Sequence, residues 1–157
     1  MSAGEMGGAA RNPAKSPRHR ARELAMQGVY QWRLTAADEA QIQKQIQAEK
    51  NLGRYDKELF VKLLRGALSK RAEIEALIAP HLDRPFEELS PIEYAVLLLG
   101  TFELAQHLEV PYKVVINEAV ELAKTFGGID GHRFVNGVLD KLAPHLRATE
   151  FAANRRT

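Results

Sequence analysis

Residues 110–142 read VPYKVVINEAVELAKTFGGIDGHRFVNGVLDKL, and this stretch decides the fold. Pro111 opens a helix in which Val115, Ala119, Leu122 and Phe126 form one apolar row, with Ile116, Val120 and Ala123 beside it. Asn117, Glu121 and Lys124 take the wet side. The β-branched run Val114-Val115-Ile116 is too short for a convincing strand and passes straight into NEAVELAK. Gly127-Gly128 end the helix, as glycine at a C-terminal cap does. Asp130 is suited to cap a second helix, whose buried face is Val135, Val138, Leu139, Leu142 and Leu146. Phe134 falls well off the centre of that face, and Asn136 and Asp140 lie on its opposite flank. Two amphipathic helices are thus joined by a tight glycine-rich turn carrying aromatic and polar groups that form no catalytic set.

Upstream, Ser90-Pro91-Ile92-Glu93 combines a capping box with proline at the first helical position. The helix it starts, through Ala95, Leu98, Phe102 and Ala105, is apolar almost all round, which predicts the buried centre of a bundle. Gly100 would let a neighbouring helix approach closely. Asp56 caps a further apolar pattern that runs through Ile78 as one helix or two, with Gly66 and Ser69 as weak points. Pro80 to Pro91 is a connector with Phe86 and Leu89 tucked inward. Ser16-Pro17 opens the first helix, in which Leu24, Ala25, Gly28, Val29 and Trp32 share a face. Tyr30 lies away from the centre of that stripe, either as a half-buried ring or as a partner contact. Thr35, with Asp38 three residues on, opens a peripheral second helix that Asn51-Leu52-Gly53 breaks. Pro144 weakens the end of the last helix, and EFAANRRT reads as a frayed tail. The fold class is all-α.

A chain of 157 residues is expected to form one domain. Residues 1–16 read as a disordered arm, 17–147 as the helical domain and 148–157 as a flexible tail. Net charge is only +2, but Arg11, Lys15, Arg18, Arg20 and Arg22 follow one another without an acid. Such a run can neutralise several phosphates and release their counterions, or merely solvate a tail. No cysteine is present, which excludes disulfides and a thiolate nucleophile. The longest uncharged apolar run, Tyr94 to Phe102, is far short of the roughly 20 residues that span a bilayer, and no secretory h-region precedes the first helix. A cytoplasmic protein without a membrane association is expected. No phosphate-cradling loop, dinucleotide fingerprint or nucleophile elbow occurs, and the five histidines show no i, i+4 pairing. No catalytic residue, metal ligand or cofactor is expected.

PYKVVINEAVELAKTFG followed by RFVNGVLDKLA resembles the signature of the NusB family of transcription antitermination factors. The resemblance extends to ARELAMQGVYQW at residues 21–32 and EYAVLLLGTFEL at 93–104, and so covers the chain from Arg18 to about Leu146. It implies a compact bundle of about seven helices in two packed helical subdomains, without enzymatic activity. It further implies binding to single-stranded boxA RNA of nascent ribosomal RNA transcripts, together with NusE, which is also a ribosomal protein. That assembly includes RNA polymerase and other Nus factors. By motif, Arg18, Arg20 and Arg22 resemble the family's arginine-rich RNA entry. Phe126, Asp130, Phe134 and Asn136 fall around the turn that resembles the rest of the RNA surface. Tyr30 and Glu93 match positions associated with a protein partner. Gly131 stands where the family often has serine, and residues 1–16 have no counterpart.

The chemistry of these residues agrees in class, since single-stranded RNA is held by cations along its backbone and by rings stacked on its bases. Phe126 is divided between a core position and an RNA-facing ring, Asp130 between a helix cap and a base contact, and Glu93 between a capping carboxylate and a partner contact. Two other classes stay open. One is a NusB-like domain of an rRNA methyltransferase, for which no nucleotide-binding sheet follows the last helix. The other is a purely protein-binding helical scaffold. An apolar helical face would serve either a homodimer or NusE.

Overall fold

The computed structural model describes residues 15–156. Of the arm expected at residues 1–16, residues 1–14, including Arg11, lie outside the described residues. Ser16 caps the first helix, as its sequence predicts, and Lys15 just before it bonds Glu23.

Eight α-helices follow in order: α1 Pro17–Thr35, α2 Glu39–Ala48, α3 Lys57–Ser69, α4 Arg71–Ile78, α5 Pro91–Gln106, α6 Tyr112–Phe126, α7 Ile129–Leu146 and α8 Ala148–Arg156. Single 3₁₀ turns at Ala79–His81 and Phe86–Glu88 shape the connector before α5. No strand occurs among the described residues. Helix α5 is the hub, touching α1, α3, α4, α6 and α7, while α2 packs on α1 and α3, and α8 packs on α7. Every residue of α5 from Tyr94 to Leu104 is buried, as its all-round apolar pattern predicts. Burying each leucine of this kind is worth about 1.5–3 kcal/mol.

Two glycines let helices meet α5 closely. A methyl group at Gly100 would stand 3.2 Å from Leu139 of α7 and 3.5 Å from Ala119 of α6. At Gly66 of α3 a methyl group would overlap the ring of Phe102. Gly66 is therefore a packing site within α3, and the break between α3 and α4 comes at Lys70, whose φ of −105° and ψ of 15° leave the helical region. Residues 57–78 form two helices.

Three further expectations need correction. Asp38, not Thr35, caps α2: its carboxylate accepts from the Gln41 amide, whereas Thr35 closes α1 and bonds back to the Gln31 carbonyl. Gly128 occupies the N-cap of α7 without a side-chain bond, so Asp130 lies inside the first turn, where a negative charge suits the helix dipole. The segment expected to fray forms α8 and docks. Arg147, 4% exposed, donates to the carbonyls of Leu104, Val110 and His107 at 2.6, 2.9 and 2.9 Å, and to Glu150 at 2.6 Å. Glu150 in turn accepts from the Tyr112 amide at 2.8 Å, supplying the cap that Pro111 cannot, while Phe151 packs on the Tyr112 ring. Among the described residues no helix is long and apolar enough to cross a membrane.

Candidate nucleic-acid interface

The first turn of α1 sets out the basic residues. Ser16 accepts from the His19 amide at 3.0 Å, and Pro17 occupies the first helical position, so the helix starts where the capping signal predicts. At about 100° per residue, Arg20 projects some 200° away from Arg18 and Arg22. The three arginines consequently meet three different surroundings.

Arg20 Nε donates to the Leu52 carbonyl at 2.8 Å, and its Nη1 donates to Glu23 at 2.9 Å. Glu23 also accepts from Lys15 at 2.7 Å. Burial pushes the Glu23 carboxyl up, but the bonds from Lys15 and Arg20 outweigh it and hold the group below its ordinary range. Arg20, Glu23, Gln27 and Tyr30 follow at helical spacing along one side of α1. With Met26 of the same helix, Ile92 of α5 and Phe126 of α6 they line a groove of about 320 Å³. Phe126, the last residue of α6, is 44% exposed. Its ring has left the core in spite of its core-like spacing, because the helix ends there and the core does not extend beneath it. The basic start of α1 and the glycine-rich turn therefore meet in one groove.

Arg18 faces elsewhere. Its guanidinium lies 3.8 Å from the Asp56 carboxylate, in a second groove with Lys62, Gln106 and His107. Arg22, expected on the RNA surface, is turned into the protein instead. It is 5% exposed and forms a two-pronged bond to Glu103, Nε and Nη2 each donating at 2.8 Å. Burial opposes its charge, yet the bonds to Glu103 and the charges of Glu103 and Glu118 prevail and raise its pKa. Glu118 also accepts from His19 Nδ1 at 2.8 Å, which ties α1 to α6. A guanidinium so engaged has no face left for a nucleic acid, so its role is structural.

At the far side of the turn, Glu93 completes the predicted capping box, its amide donating to Ser90 and its carboxylate accepting from the Ser90 amide, both at 3.1 Å. The same carboxylate backs the start of α7, where a methyl group added to Gly131 would stand 3.3 Å from it. Phe134 is half-buried, and the Arg84 guanidinium lies over its ring at 4.7 Å, held by Asp83 at 2.8 Å. Asp130 is exposed one turn before Phe134. Asn136 is exposed but sits about 200° around α7 from Phe134. It lines another groove, of about 400 Å³, with Lys113, Asn117, Asp140 and the rings of Tyr112 and Phe151.

Arg20, Tyr30 and Phe126 thus share one groove, with Glu93, Asp130 and Phe134 around the adjoining turn. Arg18 and Asn136 belong to other faces, and Arg22 to the interior. Gln27, Ile92 and Arg84 were not singled out from the sequence. The i, i+3, i+7, i+10 row that begins at Arg20 points to Gln27, whereas nothing local to Arg84 foretells the ring it covers. Among the described residues no group of three or more His, Asp or Glu could hold a metal ion.

The chain matches the model of the NusB family over residues 19–144. It is 51% identical over 143 residues to the transcription antitermination protein NusB of Dechloromonas aromatica (strain RCB), covering 91% of this chain and 88% of that protein. It is 52% identical over 142 residues to the transcription antitermination protein NusB of Aromatoleum aromaticum, covering 90% and 98%. Among solved structures it is similar to NusB of T. maritima, with a TM-score of 0.76 and 31% identity over 88% of this chain and 99% of that one. A similar chain occurs in the crystal structure of the antitermination factors NusB and NusE in complex with dsRNA, with a TM-score of 0.73 and 29% identity over 81% and 96% of the two chains. On this agreement of sequence and fold, the chain belongs to the NusB family, a non-catalytic family of transcription antitermination factors.

Proposed function

We propose that this protein binds single-stranded boxA-type RNA of nascent ribosomal RNA transcripts together with NusE, in the cytoplasm, as part of an antitermination complex with RNA polymerase and other Nus factors. The observation that carries this reading is the groove in which Arg20 stands beside the rings of Tyr30 and Phe126. A cation beside two aromatic rings is the pairing that single-stranded RNA requires, one group for the backbone and the others for splayed bases. The NusB relative solved with NusE and dsRNA supports NusE and an RNA as partners, without bearing on strandedness or sequence. Asp130 repels phosphate, so its contact in this reading is with a base amino group or a 2′-hydroxyl, both of which donate to a carboxylate. Glu93 is the proposed point of contact with NusE, and Tyr30, a partner position by resemblance, is reassigned in this reading to the RNA.

Anisotropy titration of labelled boxA-type RNA, with and without NusE, tests the proposal. NusE should tighten binding, and a scrambled RNA of equal length should bind more weakly. Equal affinity for the scrambled RNA in the presence of NusE would remove sequence specificity from the function.

A further inference from the structure

Arg20 is shared between two hollows. One is the groove with Tyr30 and Phe126; the other is a trough of about 410 Å³ lined by Lys15, Pro17, Arg20, Leu52, Gly53 and Arg54. The trough is built by the connection between α2 and α3, which is stitched to the first turn of α1 at two points. The Asp56 amide donates to the Pro17 carbonyl at 3.0 Å, and Arg20 Nε donates to the Leu52 carbonyl at 2.8 Å. Between these bonds the chain passes through Gly53 at φ +77°, a conformation that favours glycine. Arg54 is thereby held at the rim of the trough, exposed, with no hydrogen bond or ion pair among the described residues.

The charges around it are unequal. Lys15, Arg20 and Arg54 line the trough, and no carboxylate is among its lining residues. Glu23 is buried and accepts from Lys15 and Arg20, while Asp56 caps α3 through the Leu59 amide and faces Arg18. Arg54 is the cation left without a counterpart. We infer that the trough is a phosphate-binding site for the RNA backbone, with Arg54 as a contact residue beside Lys15 and Arg20. The inference rests on the RNA-binding reading above and extends it. A strand with a base against Tyr30 and Phe126 runs its backbone over Arg20 and delivers the next phosphates to Arg54.

The test uses the whole chain and the single-stranded RNA described above, titrated at several salt concentrations with the parent, R54Q, R54K and R20A. One phosphate contact to a single strand adds about 0.7 to the slope of log affinity against log salt. R54Q should lose about that much slope, so that between about 50 and about 200 mM salt the parent weakens about 2.6-fold more than R54Q. R54K should restore the slope. Equal affinity and slope for the parent and R54Q, with R20A weakened, would overturn the trough while leaving the proposed function intact. Failure of the parent to bind RNA overturns both. Inorganic phosphate raising the melting temperature of the parent but not of R54Q, without a difference in RNA binding, would assign the trough to free phosphate and overturn the RNA site.

Discussion

Arg20 and Arg22 stand two residues apart on one helix and end in opposite surroundings. Arg20 faces outward into a groove with Tyr30 and Phe126, spending its donors on a carbonyl and a carboxylate at the rim. Arg22 is sealed between α1 and α5 with both prongs on Glu103. Arg18 lies only about 40° from Arg22 around the axis. It stays half exposed because it sits one turn earlier, at the end of α5 near Gln106 and His107, where less of the protein covers it. An arginine-rich run states how much charge a helix start carries; the neighbouring helices decide which of those charges reach solvent.

The largest effects should come from breaking the buried side of this comparison. Arg22→Ala leaves Glu103 buried without its guanidinium partner and with only His107 beside it at 3.9 Å, and should cost about 3–5 kcal/mol in urea unfolding. The pair also sets a pH dependence. Burial pushes the Glu103 carboxyl up, but the bonds and charge of Arg22 hold it below the ordinary value of 4.5. A carboxyl depressed in the folded state contributes stability above its unfolded pKa, and that contribution is lost as pH falls through the folded value. Stability of the parent should therefore decline below about pH 4.5, and the Glu103→Gln variant should show a flatter acid limb. A limb identical in the two proteins would mean that Glu103 contributes nothing to acid unfolding.

On the open side, the signature is loss of RNA affinity without loss of fold. Phe126→Ala should weaken RNA binding by about 1–3 kcal/mol, the range for a ring stacked on a base. Because the ring is 44% exposed, unfolding stability should move by no more than about 0.5 kcal/mol. Phe134→Ala should cost less RNA affinity, since Arg84 already covers one face of that ring. A smaller change is expected for Arg20→Ala. One lost phosphate contact would lower the salt slope by about 0.7, or about 2.6-fold in salt response between about 50 and about 200 mM. An unchanged slope would favour the protein-binding scaffold over the RNA-binding adaptor.

What could be read in advance follows from the range of the forces involved. The α5 core, the capping box at Ser90 and the start of α1 are local in sequence, and periodicity or capping chemistry states them directly. Phe134 off the buried stripe is legible for the same reason. The burial of Arg22 is not, because its cause is Glu103, 81 residues away. Nor is the docking of α8, which depends on Arg147 reaching the carbonyls at the end of α5 and on Glu150 meeting the first amide of α6. Phe126 misleads in the other direction: its spacing belongs to the apolar row, but the helix stops at it, and a row says nothing about where its core ends.

Asn136 supplies the smallest expected effect and the sharpest limit on the site. It is two residues from Phe134, and proximity in sequence groups them. Two residues along a helix are about 200° around it, however, and the buried stripe of Val135, Val138 and Leu139 separates their side chains. A strand lying in the groove of Arg20, Tyr30 and Phe126 would have to cross the N-terminal end of α7 to reach the Asn136 face, where Lys113 and Asn117 stand. Asn136→Ala should then change the affinity of a short RNA by less than about 0.5 kcal/mol, the ordinary range for an exposed substitution. A longer RNA that shows a larger loss with the same variant would mean that the strand wraps the helix end, with the Asn136 face carrying its continuation. Equal and large losses for both lengths would instead place the principal contacts on that face and separate Phe126 from RNA binding.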